Sequence, residues 1–223
     1  MKVMILAAGR GERLRPLTER LPKPLVEAGG KALIDWHLQR LAAAGYRDAV
    51  INVSHLGEQI VAHVGDGARH GMRIAFSREK EPLETAGGIA QARALLGDGP
   101  FLLVNSDIYC EYDVAALRAL HLGTKLGHLV LVPNPTHHAE GDFTLDAGMV
   151  GNGAAPRYTY AGVALMSPQI VSGVRSGDKA PLGPLLRQAA GEHRLTGELF
   201  TGRWTDVGTL ARLTELNTWL ASK

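Results

Sequence analysis

Cysteine is nearly absent from this chain: its 223 residues include one, Cys110. A lone thiol excludes an internal disulfide and any cysteine-based zinc site, and it fits a reducing, cytoplasmic setting. Net charge is scarce as well, since 24 lysines and arginines stand against 22 acidic residues and leave +2. A chain so balanced carries no global basic field for holding nucleic acid, and none is expected as a partner. No apolar run approaches the roughly 18 residues of a membrane span. The opening Met1 to Ala8 is shorter than the apolar core of a secretory signal and runs into arginines, so no membrane partner is expected either. Internal repeats, low-complexity tracts and linkers are missing too. The length suits one sizeable core, and the chain reads as a single domain, 1–223.

What the chain does have is concentrated at its start. Val3-Met4-Ile5-Leu6 leads into Ala7-Ala8-Gly9, which reads as a buried strand of a parallel sheet followed by a glycine-rich turn. In an open α/β sheet, ligands bind outside the carboxyl ends of such strands. From Arg10 to Lys23 there are five basic side chains, Arg10, Arg13, Arg15, Arg20 and Lys23, against two acidic ones, Glu12 and Glu19. Free backbone N–H groups together with guanidinium forks suit a polyphosphate. Two familiar phosphate loops are excluded. A dinucleotide fingerprint runs G-x-G-x-x-G straight into a helix, but position 14 is leucine, and Pro16, Pro22 and Pro24 forbid a long helix. A P-loop needs a second glycine five positions after Gly9, and Leu14 stands there.

From Leu6 to Pro24 the segment resembles, without a gap, the signature of the sugar-1-phosphate nucleotidyltransferases, L-A-A-G-x-G-x-R-L-x-P-L-T followed by P-K-P. The match rests on about a dozen identities at set spacings, where a lone G-x-G would fix two. The resemblance implies a glycosyltransferase-A-like nucleotidyltransferase fold, a nucleoside triphosphate and a sugar 1-phosphate as partners, and Mg²⁺ as cofactor. It implies that Ala8, Gly9, Gly11 and Glu12 wrap the nucleotide while Arg13 and Lys23 grip its phosphates as the catalytic pair. Within the family the chain looks most like the compact uridylyltransferases, which use UTP. Guanylyl or thymidylyl transfer to mannose or glucose 1-phosphate stays open, as does cytidylyl transfer to a small phosphorylated alcohol. A non-catalytic, nucleotide-binding regulatory subunit is the alternative of another class. A monomer is compatible with all of these.

The rest of the chain alternates apolar strands with helical spacing, which predicts a Rossmann-like, mostly parallel sheet flanked by helices. Helices are expected over 32–44, 58–64, 89–96, 114–122, 182–190 and 210–220, the third capped by Thr85. Strands are expected at 49–53, 72–76, 101–104, 129–132 and 158–166. The glycine-rich 141–156 reads as a hairpin laid over one side of the sheet, and 195–204 as a hairpin or strand pair. The nucleotide-binding half is expected at about 1–110 and the sugar-binding half at about 111–223.

Nucleotidyl transfer brings two anions together and builds charge on the leaving pyrophosphate, so it needs cations and a metal more than a nucleophile. Mg²⁺ takes oxygen ligands, usually one or two carboxylates with phosphate oxygens. Asp107 follows the most apolar strand, and Asp206 lies in Trp204-Thr205-Asp206-Val207-Gly208-Thr209. Taken alone, each reads equally as a cap of the turn or helix that follows. The resemblance makes them the pair that holds the metal, and it puts Glu81 and Gly88 against the base. It puts Asn105, Glu140, Gly141, Asn152, Tyr160 and Gly162 against the sugar. The family's usual Glu-Lys-Pro is missing between Val150 and Tyr158, so Arg157, Lys179 or Arg203 would have to meet the sugar phosphate. His137 and His138 read as surface loop, because adjacent residues cannot both turn to one ion.

Overall fold

The computed structural model describes residues 1–154 and 156–223. In chain order its elements are β1 (Val3–Leu6), β2 (Glu27–Ala28), β3 (Lys31–Ala32), α1 (Leu33–Ala43), β4 (Asp48–Val53), α2 (Gly57–Val64), β5 (Arg73–Arg78) and α3 (Glu84–Leu96). They continue with β6 (Phe101–Asn105), β7 (Ile108–Cys110), α4 (Ala116–Ala119), β8 (Gly127–Val132), β9 (Phe143–Asp146), β10 (Met149–Gly151) and β11 (Arg157–Met166). The last are α5 (Leu182–Gly191), β12 (Leu195–Leu199), β13 (Trp204–Asp206) and α6 (Leu210–Ala221).

The apolar runs become the middle of one nine-stranded sheet, in the order β5-β4-β1-β6-β11-β8-β12-β10-β9. Period-2 alternation sorts their side chains between two cores. Val3 and Ile5 of β1 join Leu102 and Val104 of β6 in the cluster that also holds α1 and α2. Met4, Phe101 and Leu103 join the cluster on the other face, with α3 and α5. From β5 to β6 all pairings are parallel. Beyond β6 the sheet is mixed: β11 runs against both β6 and β8, while β12 is parallel to β8. Strand β11 arrives from a hairpin rather than over a crossover helix, and antiparallel pairing is what such a connection allows.

The predicted α/β fold holds, although the sheet is mixed and not mostly parallel, since five of its nine pairings are antiparallel; four local details differ as well. The β9–β10 hairpin does not lie over the sheet but lengthens it, because β12 leaves a free edge that β10 pairs and β9 also reaches β11. Residues 195–204 are no hairpin: β12 joins the main sheet, and β13 leaves it to pair with β7. The helix predicted over 114–122 shrinks to Ala116–Ala119, since Leu120 is extended and carries Leu122 into the core. Helix α3 starts at Glu84, so Thr85 lies in its first turn and caps nothing. Its leading Ala86 and Gly87 N–H groups donate instead to the Ala180 carbonyl at 2.9 and 3.1 Å. That contact ties the loop before α5 to the start of α3.

Candidate active site

The strand order reverses between β1 and β6, and their carboxyl ends open the crevice that such a reversal creates. The two ends are stitched together by Ser106, whose N–H and hydroxyl both donate to the Leu6 carbonyl at 3.1 and 2.5 Å. Beyond β1, Gly11 turns the chain in the left-handed region at φ +64°, and an added Cβ would meet Thr18 at 2.9 Å. Thr18 returns a hydroxyl bond to the Gly11 carbonyl at 2.8 Å. Buried Leu14 anchors the short turn Glu12–Leu14, leaving Glu12 and Arg13 exposed.

Two clefts adjoin on the donor side. One of about 280 Å³ is lined by Leu6 to Gly9, Asn52, Pro82, Thr85 and Asn105. The other, of about 610 Å³, takes Gly9 to Arg13, Lys23, Glu81, Asp107, Lys179 and Gly208. Arg10, Arg13, Lys23 and Lys179 in its lining can meet a polyphosphate, although Glu12, Glu81, Glu84 and Asp107 balance them in number. A third cleft, of about 340 Å³, continues on the acceptor side between Arg13, Asn105, Asp107, Tyr160, Gly162 and Asp206.

The two aspartates meet through a small ladder. Asp107 sits in the turn between β6 and β7, and β7 pairs antiparallel with β13, setting Asp206 opposite Ile108. The Val207 N–H donates to the Asp107 carbonyl at 2.8 Å. Both acids line the third cleft. Each already has a cation beside it: Lys23 Nζ lies 2.5 Å from Asp107 and Arg212 donates to Asp206 at 2.9 Å, while the His137 ring also stands against Asp206, its Nε2 3.0 Å away. Among the described residues no group of three or more His, Cys, Asp or Glu side chains is arranged to hold a metal ion. Two carboxylates without a further protein ligand fit Mg²⁺, which leaves its other positions to phosphate oxygens and water. They would not make the closed site of a structural zinc.

Behind this turn, burial brings His37 down to about 4, so its ring is neutral beside the backbone of Ser106 and Ile108. Burial pushes the Cys110 thiol up to about 11, which leaves it unreactive at neutral pH.

Several residues stand apart from the expected arrangement. Gly88 lies inside α3 and lines none of these clefts. A Cβ there would come within 2.7 Å of both Asn52 Nδ2 and Glu79 Oε1, so packing accounts for the glycine. Glu140 and Gly141 line none of these clefts, whereas Pro135, His137 and His138 line the acceptor one. Asn152 donates to the Arg187 carbonyl of α5 at 2.7 Å, outside the clefts. Arg157 is spent on the Asp142 carbonyl and Arg203 stacks on Trp219, whereas Lys179 lines the phosphate cleft 3.8 Å from Glu84. His137 and His138 are cleft residues, not bare surface loop.

Sequence reasoning missed Asn52, Glu79, His137 and Arg212. Asn52 Oδ1 accepts the Ala7 N–H at 2.8 Å, its Nδ2 donates to Glu79 at 2.7 Å, and Glu79 accepts the Leu83 N–H at 2.9 Å. This buried relay fixes the phosphate turn against the loop before α3. An asparagine inside the apolar run Ala49 to Val53 was the available signal. Nothing local marks His137 or Arg212.

A glycine-rich turn, a cleft lined by three arginine and lysine side chains of that turn and its sequel, and two convergent carboxylates at a sheet's switch point are the features of a nucleotide-handling transferase. Residues 2–142 match the family described as Nucleotidyl transferase, and the chain belongs to that family. It is 47% identical to an N-acetylmuramate alpha-1-phosphate uridylyltransferase of Neisseria meningitidis serogroup B, covering 96% of each chain. A protein of the same name from Caulobacter vibrioides is 38% identical over 92% of this chain and 90% of its own. A mannose-1-phosphate guanyltransferase of Yarrowia lipolytica is 33% identical over 93% of this chain and 61% of its own. Among solved structures, HddC from Yersinia pseudotuberculosis, complexed with GMP-PN, superposes with a TM-score of 0.75 at 20% identity, covering 98% of each chain. At that identity the likeness speaks for the fold.

Proposed function

We propose that the chain transfers the uridylyl group of UTP to N-acetylmuramate 1-phosphate, giving UDP-N-acetylmuramate and pyrophosphate, as a cytoplasmic step of peptidoglycan recycling. The observation that carries nucleotidyl transfer is the meeting of Asp107 and Asp206 across the β7–β13 ladder, on a cleft also lined by Arg13. The base and sugar are inferred from the two relatives of that name.

In this reading residues up to about 110 hold the nucleotide, and those after it, with Asn105, hold the sugar. The turn Ala8 to Glu12 offers backbone N–H groups to the triphosphate, and Glu81 faces the base. Arg13 meets the departing pyrophosphate. Lys23, now against Asp107, transfers its charge to the α-phosphate, where negative charge grows during displacement. Asp107 and Asp206 hold Mg²⁺, which when bound screens the two anions from one another. Asn105, Tyr160 and Gly162 form the floor for the sugar.

The test is pyrophosphate release with each common nucleoside triphosphate against a panel of sugar 1-phosphates, with and without Mg²⁺. Release restricted to UTP with N-acetylmuramate 1-phosphate is expected. Turnover with GTP and mannose 1-phosphate in its place would overturn the assignment of base and sugar.

A further inference from the structure

Three basic side chains line the acceptor cleft: Arg13, His137 and His138. Arg13 also lines the phosphate cleft, and His137 stands against Asp206. His138 is committed to neither. Its Nε2 lies 3.0 Å from Asp142 Oδ1, and the other Asp142 oxygen accepts the Tyr160 N–H at 2.8 Å. Strand β11 therefore holds the carboxylate, and the carboxylate holds the ring. About 40% of the His138 side chain is exposed. The ring's other nitrogen makes no hydrogen bond to the described residues, and an N–H there can donate to an anion.

The proposed sugar carries such an anion. N-acetylmuramate is N-acetylglucosamine with a lactyl ether, whose carboxylate lies away from the reacting phosphate. We infer that His138, oriented by Asp142, meets that carboxylate and sets the preference for the acidic sugar over its neutral parent. The inference rests on uridylyl transfer to N-acetylmuramate 1-phosphate and names the residue that selects this substrate.

The test compares N-acetylmuramate 1-phosphate with N-acetylglucosamine 1-phosphate, in kcat/KM and in dissociation constants measured by calorimetry with a non-hydrolysable UTP analogue present. In His138→Gln the ratio favouring the acidic sugar falls by about tenfold or more, mostly through KM, the size of one lost charge-assisted hydrogen bond. His138→Lys returns a cation and recovers part of the ratio. Binding of the UTP analogue reports that each variant is folded. An unchanged ratio in His138→Gln overturns the inference, whether both sugars are retained or weakened together. If the wild-type enzyme itself rejects N-acetylmuramate 1-phosphate, the functional reading fails first. If wild type prefers it and the ratio survives the substitution, only the role of His138 fails.

Discussion

One stretch, Leu6 to Pro24, supplies half of the residues lining the two donor-side clefts, whereas the acceptor side takes Asn105, His138, Tyr160 and Asp206 from four separate segments. The donor turn is braced by its own neighbours, Leu14 and Thr18, and hangs from a strand in an all-parallel half-sheet. The acceptor side exists only once β7 has met β13 and β11 has crossed between β6 and β8. A site of the first kind is written locally, and one of the second kind is a property of the assembled sheet.

The largest effect should come where the two sides touch. Lys23→Met removes the cation beside Asp107 and, on the proposed mechanism, the charge that meets the α-phosphate. Its kcat should fall by about 10² to 10³, with UTP binding reduced much less, as read by single-turnover pyrophosphate release and nucleotide titration. An equal loss in binding would mean that Lys23 belongs to the donor side alone.

A second test bears on the support of the acceptor turn. His37 has its folded value near 4 against an ordinary 6.5, so the unfolded chain takes up its proton first as the pH falls. Its contribution to stability is fully present above about 6.5 and is lost on the way down to about 4, on the order of 3 kcal/mol in all. His37→Gln should therefore lose less stability than wild type across that window, measured by urea unfolding at several pH values.

A smaller change should cross from packing to the donor side. Gly88→Ala would push on the buried Asn52–Glu79 pair, at a cost of about 1–3 kcal/mol, and loosen the Ala7 N–H anchor. Lower thermal stability with a raised KM for UTP and little change in sugar KM would mark the relay as part of the donor side. The smallest effect is expected from Lys179→Met. This residue is exposed and 3.8 Å from Glu84, so the KM for UTP should rise only a few-fold, and less in high salt.

The same contrast explains what could be read in advance. The phosphate turn was legible because its glycines, arginines and prolines all lie within one run, and Asp107 because it follows the most apolar strand. Asp206 was legible only through its surrounding W-x-D-x-G-T. His137, His138 and Arg212 act through partners on distant elements, and no spacing in the chain announces them. Gly88 was assigned to the base because a helical glycine and a loop glycine look alike until α3 is seen to begin at Glu84. Asn152 and Gly141 were expected at the sugar through the resemblance alone; the β9–β10 hairpin extends the sheet's edge, so its flanks reach α5 and Asn134 and lie outside the clefts described above.

Helix α6 has one more consequence. It supplies Arg212 to Asp206, and farther along it Asn217 accepts the Gly29 N–H at 2.7 Å in the β2–β3 hairpin that follows Lys23. Helix α6 thus ties Asp206 to the first hairpin while standing outside the nine-stranded sheet. In rising denaturant, fraying of this tie should extinguish turnover while the sheet's circular dichroism is still intact, so enzyme assays would report an earlier midpoint than spectroscopy.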